Sequence, residues 1–428
     1  MVYGVTMGSI MLKRIDHGSL PALRRDAVDP ATLEKARAIV DDVRERGETA
    51  LREHAERLGD IGPDEALVRS KAELAAALEA LPKADRKLLE RTARRIRLFA
   101  ERQRACLRAL TMKIPGGQAG HVAVPVERAG CYAPGGRFPL PSSVLMTVVT
   151  ARAAGVSTVW AASPRPAQAT LAAAAVAGAD ALLAVGGAQA IAALAYGAGE
   201  VPACDVVVGP GNRWVTAAKQ LCAGRVGIDM LAGPSELVVL ADASADPAVV
   251  AADLLAQAEH DPDAMPILVT VDAALADAVD AALSRQLAGL PTAPMARAAL
   301  GHGFAVVVKD IGEAVGVCNR IAPEHIELHV RDAKKLRNRL ANYGALFVGA
   351  GAAEVMGDYG AGPNHVLPTG GTARFAGGLS VFTFLRVRTW MEVTDPAGAR
   401  EVLNDAAAFA RIEGLEAHAR AAEIRRRR

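Results

Sequence analysis

Gln257 and His260 lie three residues apart at the end of a predicted helix, a spacing that suits a shared metal ion. Residues at this spacing fall on one helix face, about one turn apart, so both side chains could reach the same ion. The alternative is a histidine stabilised by the dipole at the helix C-terminus beside a solvated glutamine. The pair therefore indicates either part of a metal site or an ordinary helix end.

Glu324 and His325 form an adjacent carboxylate and imidazole within an apolar stretch that follows Pro323. Such a pair can supply a base and a proton shuttle near neutral pH. The same residues are equally typical of a helix start, with proline at an early position and glutamate favoured by the dipole. Glu327 and His329, a little further on, are expected to be surface partners and not catalytic residues.

A glycine-rich segment from Gly357 to His365 carries Asp358 and ends on an imidazole. Three glycines and a proline constrain this backbone for close approach to a ligand, although an ordinary surface loop would also fit. Gln257, His260, Asp358 and one further histidine would give mixed nitrogen and oxygen ligation, which suits Zn²⁺. Glu413 and His418 lie five residues apart in the last predicted helix and, by themselves, indicate only surface residues.

Alternating strands and helices must position these side chains. Residues 29–110 have helical periodicity, whereas short β-branched segments alternate with Ala-rich helices from about Val122 onward, and a second such set begins near Glu236. This order predicts an α/β fold with two doubly wound, Rossmann-like parallel-sheet domains, N-terminal helices and a small C-terminal helical tail. From about Leu379 the pattern is irregular, and it becomes helical again from Asp395.

Three glycine-rich turns follow predicted strands of the first set. The chain has no G-x-G-x-x-G fingerprint, but these turns could bind a dinucleotide in the same way. In open parallel sheets, ligands bind at the carboxyl ends of strands, where helix N-termini offer free N–H groups to a pyrophosphate. Each turn alone could be structural, but together they predict a ligand-binding edge. They are Pro134-Gly-Gly136, Gly186-Gly-Ala-Gln-Ala190 and Gly209-Pro-Gly-Asn212.

The composition excludes several classes of protein. The 428 residues include 49 Lys or Arg and 47 Asp or Glu, so the net charge of +2 gives no basis for binding nucleic acid or an anionic membrane. The five scattered cysteines exclude a disulfide framework and a Cys-rich zinc finger. Because neither a signal peptide nor a long apolar run is present, we expect a cytoplasmic enzyme.

Six ordered motifs give the chain a resemblance to the histidinol dehydrogenase family. The similarity extends from about residue 29 to His418. The motifs are Gly186-Gly-Ala-Gln-Ala-Ile-Ala-Ala-Leu-Ala-Tyr-Gly197, Val208-Gly-Pro-Gly-Asn212, Asp229-Met-Leu-Ala-Gly-Pro-Ser-Glu236, Gln257-Ala-Glu-His-Asp-Pro262, Ala322-Pro-Glu-His325 and Asn364-His-Val-Leu-Pro368.

The resemblance implies oxidation of L-histidinol to L-histidine through an aldehyde, with two NAD⁺ reduced in succession at a zinc-dependent site. It implies an intertwined homodimer in which one zinc ligand comes from the other subunit. The implied zinc ligands are Gln257, His260, Asp358 and His418, the last from the other subunit, and the implied catalytic residues are Glu324 and His325. The implied substrate contacts are Ser235, Gln257, His260, His325, Asp358, His365, Glu413 and His418, and the implied NAD contacts are Tyr132, Gln189 and Asn212.

The sequence pattern and the resemblance together predict four divisions of the chain. They are an N-terminal arm at 1–28, a discontinuous α/β domain with the metal and catalytic residues at 29–128 and 236–378, an NAD-binding α/β domain at 129–235, and a dimerisation tail at 379–428.

The residue types suggest how two oxidations could share one site. We expect His325 to remove the alcohol proton as the first hydride leaves. No cysteine lies in any of the six motifs, so a water molecule activated by Glu324, with His325 assisting, is expected to attack the aldehyde. Three alternatives remain open. The first is a related dehydrogenase of another small polar alcohol, such as a sulfonated diol. The second is a zinc hydrolase, and the third is a catalytically silent NAD-binding or regulatory paralogue.

Overall fold

The computed structural model describes residues 11–20, 27–135 and 138–426, which form fifteen strands. Most of the expected N-terminal arm, Gly136 of the first glycine-rich turn and the last two arginines lie outside these ranges. The strands are β1 (Lys13–Arg14), β2 (Val68–Ser70), β3 (Leu110–Ile114), β4 (Gly117–Pro125), β5 (Arg128–Tyr132), β6 (Thr158–Ala162), β7 (Ala181–Leu183), β8 (Val206–Val208), β9 (Gly227–Ile228), β10 (Glu236–Ala241), β11 (Met265–Thr270), β12 (Phe304–Val307), β13 (His325–His329), β14 (Ala345–Val348) and β15 (Leu385–Val393).

Seventeen α-helical segments lie between and after these strands within the described ranges. They are α1 (Pro30–Arg46), α2 (Glu48–Arg57), α3 (Lys71–Glu79), α4 (Lys83–Cys106), α5 (Pro141–Val144), α6 (Thr150–Ala154), α7 (Gln168–Ala177), α8 (Gly187–Tyr196), α9 (Arg213–Cys222), α10 (Pro247–Ala258), α11 (Ala273–Leu287), α12 (Ala293–Leu300), α13 (Ile311–Ile321), α14 (Ala333–Leu336), α15 (Glu354–Asp358), α16 (Arg400–Ile412) and α17 (Glu416–Arg425). A π-helical segment, Leu145–Val149, joins α5 to α6. Among the described residues, no helix combines the length and apolarity needed to cross a membrane.

The first sheet has the strand order β2-β7-β6-β5-β8-β9. Only β2 is antiparallel to its neighbour, and the other strands run parallel. Strands β7 and β8 are fully buried, as parallel strands are when helices cover both faces of a sheet. Tyr132, the last residue of β5, therefore lies at the carboxyl edge of this sheet.

The second sheet is entirely parallel, with the order β1-β12-β11-β10-β13-β14. Its central strand β10 pairs Leu237 with His325 of β13, so the first residues of these two strands lie at the same, amino, edge. Helix α10 begins at Pro247 because the side chain of Asp246 accepts the Ala248 N–H at 2.8 Å. Together these strands and α10 fix the amino edge of the second sheet, where most of the candidate residues lie.

A third sheet, of order β15-β4-β3, is antiparallel throughout. Its strand β15 occupies part of the segment after Leu379 that the sequence pattern describes as irregular. Most of its side chains are exposed, but the period-2 signal of a strand is present in the sequence. Apolar Leu385, Val387, Met391 and Val393 alternate with charged Arg386, Arg388 and Glu392.

The expected division into domains is wrong for the N-terminal helices. Helices α1 to α4 belong with the first sheet, and not with the second, because they pack mainly on helices α6 to α9 of that sheet. Ala36, Leu51, Leu74 and Ile96 accordingly lie in the same buried cluster as β5 to β8. Strand β2 also extends the first sheet through its pairing with β7. In contrast, β1 of the expected N-terminal arm joins the second sheet. Amphipathic periodicity shows that a helix has a buried face, but it does not show which sheet that face covers.

Candidate active site

The candidate catalytic pair lies at the amino edge of the second sheet. His325 is the first residue of β13, and Glu324 directly precedes it. The helix start that Pro323 and Glu324 also suggested is therefore wrong, because His325 pairs in register with β10 and β14. Since β10 begins at Glu236, the loop that contains Ser235 leads into the same edge.

His325 is held as a neutral base. Its ring is 3% exposed, and its Nδ1 lies 3.3 Å from the backbone oxygen of Glu236. A carbonyl can only accept a hydrogen bond, so Nδ1 carries the proton and Nε2 has the free lone pair. Burial lowers the pKa of His325 from 6.5 to about 4, so the ring is neutral at physiological pH.

Glu324 is buried beside this histidine and can hold a proton. One carboxylate oxygen accepts the Glu236 N–H at 3.1 Å. Burial raises the pKa of Glu324 well above 4.5, and the nearby carboxyl groups of Glu236 and Asp358 add to this effect. A carboxyl group whose pKa is raised in this way suits general acid and base chemistry.

Two histidines flank Asp358, which is the last residue of α15. His260 Nε2 lies 3.4 Å from one carboxylate oxygen of Asp358. His365 Nδ1 lies 3.9 Å from the other oxygen and 3.0 Å from the Asp358 backbone oxygen. His365 Nε2 faces Ser143 Oγ at 3.4 Å, so this histidine connects the site to the helices on the first sheet.

Gln257 is fully buried, and neither its amide oxygen nor its amide nitrogen has a hydrogen-bond partner among the described residues. Its position at the end of α10 is one turn before His260. An unpaired buried amide costs roughly 1–3 kcal/mol, and native proteins rarely retain one without a function. The orphaned amide next to the His260–Asp358 pair is what a metal site without its ion would show.

Glu354, the first residue of α15, was missed by the sequence reasoning. Its side chain is buried, neither oxygen has a hydrogen-bond partner in the described part of the chain, and one oxygen lies 3.6 Å from His325 Nδ1. His260, Glu354 and Asp358 offer possible metal-ligand atoms within 4.8 Å of one another. A glutamate at a helix start is ordinary in sequence, so only the fold distinguishes this one.

The site is short of positive charge. Burial and the carboxyl groups of Asp358 and Glu324 raise the pKa of Glu354 well above 4.5. Three carboxyl groups, those of Glu324, Glu354 and Asp358, thus share a site in which burial also lowers the pKa of His325 and His365. Such a site favours cationic ligands, either a metal ion or an ammonium group.

The residues expected to contact NAD lie at the carboxyl edge of the first sheet. Tyr132 ends β5, and its hydroxyl accepts the Gly187 N–H at 3.4 Å. Gln189 in α8 donates to Asp60 at 3.2 Å, and its buried amide oxygen has no partner among the residues described. Asn212 caps α9 with its side-chain oxygen, which leaves its amide N–H groups for a ligand.

A buried ion pair fixes the loop that leads to Asn212. Lys219 and Asp229 pair with each other, and both side chains are almost fully buried. Asp229 accepts the Gly209 N–H at 2.7 Å, and Lys219 donates to the Gly209 carbonyl at 3.0 Å. Both backbone polar groups of Gly209, at a φ of +119° that favours glycine, are therefore held in place.

Glu413 and His418 lie outside this cluster within one chain. The prediction that they share the last helix is wrong, because Glu413 caps the end of α16 whereas His418 lies in α17. Gly414 has a φ of +75° and separates the two helices. Both side chains are exposed, and α16 and α17 form a small buried cluster of their own.

The expectation that Glu327 and His329 lie on the surface is also wrong. They are 0% and 3% exposed, because residues 325, 327 and 329 of β13 all point to the face covered by α10. Alternation along the strand would have indicated this once His325 was placed in a strand and not in a helix.

Comparisons with known proteins identify the family of this chain. A sequence model described as Histidinol dehydrogenase matches residues 23–426. The histidinol dehydrogenase of Thermus thermophilus is 48% identical over 95% of this chain and 97% of that protein, and the one from Pseudomonas putida is 42% identical over 96% and 94%. The crystal structure of histidinol dehydrogenase from Elizabethkingia anophelis superposes with a TM-score of 0.90, at 30% identity, over 97% of this chain and 98% of that chain. The chain therefore belongs to the histidinol dehydrogenase family of oxidoreductases.

Proposed function

We propose that the protein oxidises L-histidinol to L-histidine through L-histidinaldehyde, as the last step of histidine biosynthesis, and reduces two NAD⁺ in doing so. The observation that carries this proposal is the cluster in which Glu354 links the Glu324–His325 pair to His260 and Asp358. The orphaned amide of Gln257 lies one helical turn before His260. In a member of this family, that set supplies bases, metal ligands and a preference for cationic substrates at one place.

One zinc ion per site fits these residues. Gln257, His260 and Asp358 would hold it, and His418 of the partner subunit would complete a mixed nitrogen and oxygen set. The buried amide of Gln257 supports this assignment because it has no partner among the described side chains. When bound, zinc would supply a Lewis acid for the imidazole and amino nitrogens of histidinol, and so fix the substrate without binding the reacting alcohol.

His325 is the proposed base for the first oxidation. Because Nδ1 donates to the Glu236 carbonyl, Nε2 is free to take the proton of the alcohol as hydride leaves the carbon for NAD⁺. Glu354 lies 3.6 Å from Nδ1 and would stabilise the imidazolium that forms. His365, Ser235 and Glu413 of the partner subunit are the remaining proposed substrate contacts.

A water molecule, and not a thiol, is the proposed nucleophile of the second oxidation. Burial raises the pKa of Cys131, Cys204 and Cys318, so these thiols are poor sources of thiolate. Glu324 has the raised pKa and buried position that a base for water needs. In this proposal Glu324 removes a proton from water as it attacks the aldehyde carbon, and the hydrate then gives its hydride to the second NAD⁺.

NAD⁺ is proposed to bind at the carboxyl edge of the first sheet, on Tyr132, Gln189 and Asn212. Gln189 offers an unpaired acceptor and Asn212 offers free amide donors. Residues 229–235 run from the end of β9 to the start of β10, so the chain passes directly from the carboxyl edge of the first sheet to the amino edge of the second.

Two sites shared across a homodimer explain the position of His418. Helices α16 and α17 expose Phe409, Ile412 and Ile424 by 62% or more, which is unusual for a surface that stays in water. A second copy of the chain could cover these residues. In such a dimer, Glu413 and His418 of each subunit would reach the active site of the other subunit. The segment 379–428 is thus the proposed dimerisation tail.

The yield of NADH from limiting L-histidinol tests the proposed function. We expect two NADH per substrate molecule, with activity lost after treatment with a chelator and restored by zinc. A yield of one would show that the aldehyde is released. Without turnover, while NAD⁺ still binds, the substrate would be another small polar alcohol.

Replacing Gln257 with Met should separate metal binding from stability. Methionine has a similar volume and no unpaired polar atoms, so we expect the metal-free variant to be more stable by about 1–2 kcal/mol while zinc binding is lost. Urea unfolding in the presence of a chelator measures the first effect, and calorimetry with zinc measures the second. Gln189→Met is the matched control and should be destabilised, because the buried Gln189 amide donates to Asp60.

A further inference from the structure

Three polar side chains lie directly behind the candidate active site, between α10 and the second sheet. They are Asp253 of α10 and Glu327 and His329 of β13. Glu327 and His329 are almost fully buried, although the proposed reaction gives neither of them a role. Leu237 and Val239 of the neighbouring strand are buried in the apolar core that α10 covers. Polar side chains at this otherwise apolar interface are costly to bury, which suggests that they have a specific role.

Both carboxylate oxygens of Glu327 have specific partners. One accepts the backbone N–H of Glu354 at 2.6 Å, and the other lies 3.2 Å from His329 Nε2. The same nitrogen of His329 lies 3.4 Å from a carboxylate oxygen of Asp253. With its ring proton on Nε2, His329 donates to the Glu327 carboxylate and holds it in one orientation.

The contact with Glu354 joins the two halves of the active site. Glu354 supplies the first backbone N–H of α15, and Asp358 is the last residue of the same short helix. Glu327 is two residues after His325 on β13. Glu327 thus links the strand that carries His325 to the helix that carries Asp358. The link is a short hydrogen bond to the Glu354 N–H, which has no acceptor within its own helix because it lies in the first turn.

We propose that Glu327 is a positioning residue that sets α15, and with it Asp358 and Glu354, against His325. His329 and Asp253 hold the Glu327 carboxylate from behind. The inference rests on the proposed role of Asp358 as a metal ligand. Groups that orient metal ligands without touching the ion commonly account for about 10- to 100-fold of the metal affinity.

Zinc binding to variants of Glu327 tests this assignment. Calorimetry with zinc on metal-free protein should give Glu327→Gln an affinity within a few fold of wild type, since its amide oxygen still accepts the Glu354 N–H. Glu327→Leu should bind zinc about 10- to 100-fold more weakly. Glu327→Asp should also weaken binding, since its carboxylate is one methylene too short to reach Glu354, and it provides the test if the leucine variant does not fold.

Asp280 provides a matched control. It is a buried carboxylate that accepts a backbone N–H, that of Leu12 at 3.0 Å, at a distant part of the second sheet. Asp280→Leu should lower stability and leave zinc affinity unchanged. If it weakens zinc binding as much as Glu327→Leu does, the effect is a general loss of structure and the positioning role is wrong.

Hydrogen exchange of metal-free protein provides a readout that does not depend on zinc. The segment 345–360 should exchange at least about tenfold faster in Glu327→Leu and Glu327→Asp than in wild type, because the Glu354 N–H loses its acceptor. Unchanged exchange in both variants would overturn the proposal. Failure of the wild-type protein to bind zinc, with exchange responding as expected, would instead contradict the proposed metal site and leave only the structural link between β13 and α15.

Discussion

Glu324→Gln should slow the oxidation of L-histidinaldehyde by about 10²- to 10⁴-fold, the usual effect of removing a general base. Alcohol oxidation should keep most of its rate, because its proton goes to His325 in the proposed mechanism. The amide oxygen of glutamine can still accept the Glu236 N–H that Glu324 accepts at 3.1 Å, so the amino edge of the sheet should keep its structure. The variant should therefore produce one NADH quickly and the second slowly.

Rapid-mixing measurements with each substrate separate the two steps. The first NADH is followed with L-histidinol and the second with L-histidinaldehyde supplied directly. His325→Asn is the complementary variant and should impair alcohol oxidation more strongly. Equal losses in both half-reactions for Glu324→Gln would contradict the division of work between Glu324 and His325.

Much of the fold could be predicted because strands and helices leave different periodicities. The alternation from Val122 onward predicted parallel sheets, and the structure has two of them. The glycine-rich turns at 186–190 and 209–212 predicted a ligand edge at the carboxyl ends of strands, and both turns do follow strands of the first sheet. These features depend on local backbone chemistry, which a single sequence records.

The rule that ligands bind at the carboxyl ends of parallel strands did not help with the second sheet. There the candidate residues lie at the amino edge. Gln257 lies in the last turn of a helix that returns to the start of the next strand, His260 follows that helix, and His325 opens a strand. Their order relative to the strands was present in the sequence and could have indicated the amino edge. No local signal identifies Glu354 or the partner of Glu327, because those contacts join residues that only tertiary packing brings together.

Subunits with complementary defects should restore activity if the active sites are shared. His260→Ala and His418→Ala should each be nearly inactive as homodimers, because each lacks one proposed zinc ligand at both sites. A mixed dimer has one site with both substitutions and one site with neither. Co-expression of the two chains should therefore give about one quarter of wild-type activity, since about half of the dimers are mixed and each of these has one intact site of two.

The geometry of a single chain is the reason to expect this recovery. His260 lies beside Asp358 at the second sheet, whereas His418 is exposed on α17 and outside the cluster of possible ligand atoms formed by His260, Glu354 and Asp358. Co-expression of His260→Ala with Asp358→Ala is the control, because both residues serve the same site in one chain. In that mixed dimer each site lacks one ligand, so it should stay inactive. Recovery in the control, or none with His418→Ala, would show that His418 does not act across the dimer.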